Sequence, residues 1–228
     1  MQMTEALLNN ERCFLEQESW RAVLRSVIKD DALISDRSDI VIELMILKSN
    51  IPGFFVDVTQ IIKNRDDPDR AAIDKVACQI RQLRVDLLKW HSSYEFLLSC
   101  APEIFPGSAE YDRRCKVFAT YLSCLIISSR LLGALSPTER TELEDETQIL
   151  VGQMIDLELE VKSTSSAACL FMAQTLGVSQ ATMASSQDWL KTVLSQDKTE
   201  DGEKSDGSGL IETWKFESWC KLFGRKLS

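Results

Sequence analysis

Histidine occurs once in this chain of 228 residues, as His91, and proline only five times. One histidine without a serine or cysteine in nucleophile context removes the usual base–nucleophile arrangements of hydrolytic enzymes. Few prolines and nine glycines leave long helices uninterrupted and disfavour a strand-and-turn architecture. No Cys-x2-Cys pair is present, and the seven cysteines are scattered, so a zinc module has no ligand set at the needed spacing. Glycine-rich phosphate loops are absent. The first twenty residues carry Glu5, Glu11, Arg12, Glu16 and Glu18 and lack an apolar run, which excludes a secretory signal there and favours reduced thiols. The longest uncharged apolar stretch, Val117 to Ser129, is too short to span a bilayer and reads as a buried core helix, interrupted by Arg130.

Helical spacing is what the chain does have. Ile73, Val76, Ile80, Leu83, Leu87, Trp90, Tyr94 and Leu97 recur at threes and fours, and Leu143, Thr147, Leu150, Met154, Leu157 and Val161 repeat the pattern. Shorter amphipathic segments run over Trp20 to Ile28, Ile40 to Ile51 and Phe54 to Ile62, with Pro52-Gly53 expected at the turn between the last two. Asp67 before Pro68 reads as an N-cap, Ser108 as the cap of a helix reaching about Leu135, and Ser136-Pro137-Thr138-Glu139 as a capping box. Two weaker helical pieces follow, Ala167 to Thr175 and Gln180 to Leu194. The fold class is therefore all-α, a multi-helix bundle of long antiparallel helices over residues 1–194. Intramolecular packing of the seams is preferred to a homodimer formed through one of them.

The net charge of −9 is unevenly spread: residues 209–228 carry four cations against two anions, which leaves −11 on the rest. An acidic body repels phosphate backbones, so direct nucleic-acid binding is not expected. Glu142, Glu144, Asp145 and Glu146 read as a solvated helix face, an acidic docking patch being the alternative. Asp66, Asp67 and Asp69 superficially match an aspartate-rich metal motif, but Pro68 prevents a shared helical face and capping explains them. Residues 195–209 read as a disordered linker, and 210–228 as an aromatic, basic tail helix. In that tail Trp214, Phe216, Trp219 and Phe223 are the partner-binding candidates. Docking onto the acidic body is the first reading, with a partner motif or a membrane-surface helix as alternatives.

Several segments carry a resemblance. Cys13-Phe14-Leu15-Glu16-Gln17-Glu18-Ser19-Trp20 with Val23 to Ile28, Ser35-Asp36-Arg37-Ser38, Ile51-Pro52-Gly53-Phe54-Phe55-Val56-Asp57-Val58-Thr59, Tyr121 to Ile127 and the aromatic tail resemble the C-terminal regulatory region of fungal zinc binuclear-cluster transcription factors. The resemblance implies a nuclear, non-enzymatic helical domain acting on protein partners or a small-molecule effector. It also implies that zinc belongs to an N-terminal six-cysteine module, which these residues do not contain. A stand-alone helical interaction scaffold without a role in transcription is the competing expectation.

Overall fold

The computed structural model describes residues 2–29, 34–101, 103–164, 168–191 and 209–226. Among these residues there are nine α-helices, one short 3-10 helix and no strand. The fold is all-α, a multi-helix bundle. In chain order α1 is Gln2–Asn9, α2 Glu18–Ser26, α3 Asp39–Ser49, α4 Ile51–Lys63, α5 Arg70–Cys100, α6 Ala109–Leu135, α7 Arg140–Thr164, α8 Ala168–Leu190 and α9 Thr213–Leu222; the 3-10 helix Phe14–Glu16 precedes α2.

The three long helices α5, α6 and α7 form the frame. The seam of α5 is buried from Ile73 to Tyr94, with Ile80 and Leu87 at 0% exposure, because three-and-four spacing keeps one face turned to its neighbours. Tyr94 OH donates to the Arg114 carbonyl at 3.2 Å while Arg84, ten residues earlier, reaches Ser129, so α5 and α6 run antiparallel. The pairs Tyr111–Glu160 at 2.6 Å and Arg130–Glu144 at 2.7 Å show the same for α6 and α7. Leu143, Thr147, Leu150, Met154 and Val161 face the core from α7. By length and composition α6 is apolar enough to cross a membrane, but 89% of its apolar window is buried by the surrounding helices, which is the position of a core helix.

Ser108 caps α6 as expected, accepting from the Tyr111 amide at 3.2 Å. Elsewhere the caps differ from the sequence reading. α5 starts at Arg70, with Asp69 as its cap, accepting from Ala71 N and Ala72 N at 3.0 and 3.2 Å. Pro68 thus lies before the cap, because Asp67 is still held in the preceding turn by its bond to the Asn64 carbonyl. Pro52 and Gly53 do not form the turn between α3 and α4; they occupy the first turn of α4, where a missing proline N–H is harmless, and Asn50 alone separates the helices. Ser136 makes no capping box, since α7 begins only at Arg140 and the Ser136 hydroxyl donates directly to the Glu139 carboxylate at 2.8 Å. α8 is one continuous helix rather than two pieces, and α1 has no counterpart in the sequence reading. The expected linker lies, apart from Gly209, outside the described residues, as does Pro102.

Candidate functional site

An arginine inside the apolar run of α6 needs a compensating partner, and three helices supply it. Arg130 and Glu144 are each 1% exposed. Arg130 Nη2 donates to Glu144 Oε1 at 2.7 Å and to the Thr182 carbonyl at 2.8 Å, and Nη1 donates to Ser185 Oγ at 3.3 Å. Gln148 Nε2 supports the same carboxylate oxygen at 2.8 Å. Trp189 covers the guanidinium face, with Cζ 4.3 Å from the ring centroid. Burial lowers the Arg130 pKa to about 10, which leaves the cation intact at neutral pH, and burial raises that of Glu144. The reading of the acidic cluster as a solvated face is therefore corrected for Glu144. The field of Arg130 and the turn of α7 towards α6 and α8 bring this carboxylate inside, while Glu146 pairs with Arg84 at 2.6 Å and stays partly exposed.

The C-terminal segment closes over this pair. Ile211 N donates to the Ala134 carbonyl at 2.9 Å, and Arg140 Nη2 to the Gly209 carbonyl at 2.9 Å, which fixes the entry into α9. Trp219, fully buried, donates from Nε1 to Thr182 Oγ1 at 3.0 Å, stacks on Phe55 at 5.5 Å and meets Trp189 edge-on at 5.6 Å. Its ring also stands 5.8 Å from Arg130 Cζ, so two indoles in edge-on contact border the buried cation. Phe216 and Phe223 flank Phe55 at 6.3 and 5.8 Å. Beyond α9, Arg225 Cζ stands over the Phe55 ring at 4.2 Å and the guanidinium donates to the Leu7 carbonyl and Asn10, while Lys226 N donates to the Leu8 carbonyl at 2.8 Å. The tail thereby ties α1 and α4 to α6 and α8.

Of the four tail residues proposed from sequence for partner binding, Phe216 and Trp219 are spent on this internal contact, Phe223 is partly buried against it, and Trp214 is 53% exposed. Trp189 and the Arg130–Glu144 pair were not identified as site residues from sequence; a lone arginine interrupting an apolar helical run was the available signal.

A second feature is an open groove of about 1120 Å³ between the 3-10 helix, α2, α3, α4 and α5. Its apolar floor includes Ile40, Leu47, Phe54, Val76, Leu83 and Trp90. Both charge signs line its rim, much of it internally paired: Arg12 bridges Glu16 and Asp57, Arg25 meets Glu43, and Lys89 meets Asp86. His91 lies outside it, stacked parallel on Tyr121 at 4.5 Å and 3.7 Å from Glu95. Among the described residues no group of three or more His, Cys, Asp or Glu gathers as metal ligands.

Comparison with family models, with curated proteins and with solved structures found no match for this chain.

Proposed function

We propose that this chain is a regulatory, non-DNA-binding domain of a fungal transcription factor-like protein that works in the nucleus through protein or effector binding and through intramolecular contacts. The observation that carries the reading is the docking of the aromatic tail: Trp219 packs on Trp189 and Phe55, and Arg225 and Lys226 just after it bond to the Leu7 and Leu8 carbonyls, so the two ends of the described chain are held together. The buried Arg130–Glu144 pair beside that contact makes it selective: a register shift of α9 leaves the buried Thr182 hydroxyl without its Trp219 donor. The groove offers a separate place for a protein segment or a small effector, with apolar side chains lying between charged ones of both signs. The segments of resemblance, from Cys13 to the tail, support the transcriptional context.

The test is a fusion of the full chain to a foreign DNA-binding module in a fungal reporter strain. Trp219→Ala, which loosens the tail, should change reporter output severalfold relative to the parent, whereas Trp214→Ala, on the outer side of α9, should not. Equal output from the parent, both variants and the bare DNA-binding module under all growth conditions would remove the transcriptional reading.

A further inference from the structure

The seat of α9 is built differently from the interior of the long-helix frame. α9 is ten residues long, too short to hold a helical form alone, so its order comes from what it lies on. It runs alongside α8 and reaches α4 through rings at i, i+3 and i+7, Phe216, Trp219 and Phe223, all with centroids within 6.3 Å of Phe55. The opposite face, Trp214, Ser218 and Leu222, is exposed. Contact through one aromatic row is how a helix lies in a groove of another molecule. The seat is also polar. Lys215 and Arg225 are both buried; the Lys215 ammonium donates to the Lys191 carbonyl and pairs with Glu212 at 3.1 Å, and Arg225 donates to the Leu7 carbonyl and Asn10. The Nε atoms of Arg225 and Arg130 are buried without a hydrogen-bond partner. Cation-bearing, incompletely satisfied contacts mark a joint that can separate, in contrast to an apolar core. Charge points the same way: residues 209–228 carry +2 against −11 on the remainder, so the body attracts a cationic helix.

We infer that this seat is an exchangeable helix-binding site, and that its second occupant is a short basic helix of a partner protein, with large aromatic residues at i, i+3 and i+7 and a cation at i+9, which takes the place of α9. The seated tail defines that chemistry. Its rings at i, i+3 and i+7 pack on Phe55, its indole N–H at i+3 meets Thr182 Oγ1 at 3.0 Å, and its guanidinium at i+9 covers the Phe55 ring and reaches the Leu7 carbonyl. Because α9 belongs to the same chain, it competes with the partner as a tethered ligand at an effective concentration of about 1 mM. The partner therefore enters when it binds more tightly than the tail or when the tail is loosened. The inference rests on the regulatory reading of the tail proposed above and names the partner of that same contact.

The probe is a fluorescein-labelled synthetic peptide of residues 209–228, titrated by anisotropy into the reduced full chain. The parent should bind it only near about 1 mM, where its own tail competes, and the full chain carrying Trp219→Ala should bind it about tenfold tighter or more. Arg225→Gln, a milder loosening of the tail, should shift binding in the same direction. On either variant chain the peptide with Trp219→Ala should lose about tenfold in affinity, and the peptide with Trp214→Ala should bind like the unaltered one. Absence of binding to variant chains that keep the parent circular dichroism spectrum overturns the inference, as does equal binding of the unaltered and Trp219→Ala peptides. Loss of the folded spectrum in both variant chains makes α9 part of the core and overturns it too. A parent that dimerises until excess peptide dissolves the dimer assigns the seat to a second copy instead. Peptide exchange without any reporter response removes the transcriptional reading alone, whereas a reporter response without peptide exchange removes this inference alone.

Discussion

Removing the Trp219 side chain tests the tail contact at its centre. Trp219 is 0% exposed, lies within 6.0 Å, centroid to centroid, of Phe55, Trp189, Phe216 and Phe223, and satisfies Thr182, itself fully buried. Trp219→Ala therefore removes a large buried ring from a site whose walls come from four helices and cannot all collapse inwards. Truncations of this kind cost about 3–5 kcal/mol. The loss of the indole hydrogen bond leaves the Thr182 hydroxyl without its Trp219 donor, and the Ser185 hydroxyl nearby is already donated to the Ala181 carbonyl. For a chain of this length the expected fall in melting temperature is roughly 10 °C. The assay is urea unfolding of the reduced protein followed by circular dichroism, with Trp214→Ala as the matched control. Because Trp214 is 53% exposed on the outer side of α9, its truncation should cost less than about 0.5 kcal/mol. Near-identical effects of the two substitutions would refute the docked position of α9. A Trp219→Ala and Phe55→Ala double-mutant cycle should show coupling of about 0.5–1.5 kcal/mol, the range of aromatic pairs beyond their burial.

Further outcomes follow from the same contacts. Arg130→Met or Glu144→Leu alone should cost about 3–5 kcal/mol by stranding a buried charge, while the double variant should return to within about 1 kcal/mol of the parent, measured by urea midpoint. Burial raises the thiol pKa of Cys115 to about 11 and those of Cys124 and Cys220 to about 12. A folded value raised above the unfolded one gives stability that is complete below pH 9 and lost as pH climbs towards the folded value. Between pH 9 and 10 the slope should steepen towards roughly 4 kcal/mol per pH unit for three thiols, and a flat profile in reductant would place them in solvent. Leu83→Ala, at a position 5% exposed in the α5 seam, should cost about 2–5 kcal/mol in the same unfolding assay, and a near-neutral result would put the seam outside the core.

The two heptad seams were legible from spacing alone because a helix face that meets several neighbours must repeat at threes and fours, and Ile73 to Tyr94 are buried as that pattern requires. Ser108 was legible for the same local reason, a short hydroxyl placed one residue before a helix. What escaped the sequence was set by distant groups. Glu144 shares its composition with Glu142 and Asp145 and differs from them only in facing Arg130 across the bundle. Asp67 and Asp69 are equally good caps locally, and the residual turn through Asn64 decides between them. Trp189 and Trp219 meet across thirty positions of sequence beside Arg130, a juxtaposition that no periodicity encodes.

Hydrogen exchange of the α9 amides in the full, reduced chain tests the closure of the tail most directly. The account predicts that amides from Phe216 to Leu222 exchange at rates comparable with those of α6 and α7, and that Trp219→Ala lowers their protection while leaving the α5 seam intact. Exchange of that segment at the rate of an unstructured peptide in the parent chain would contradict it.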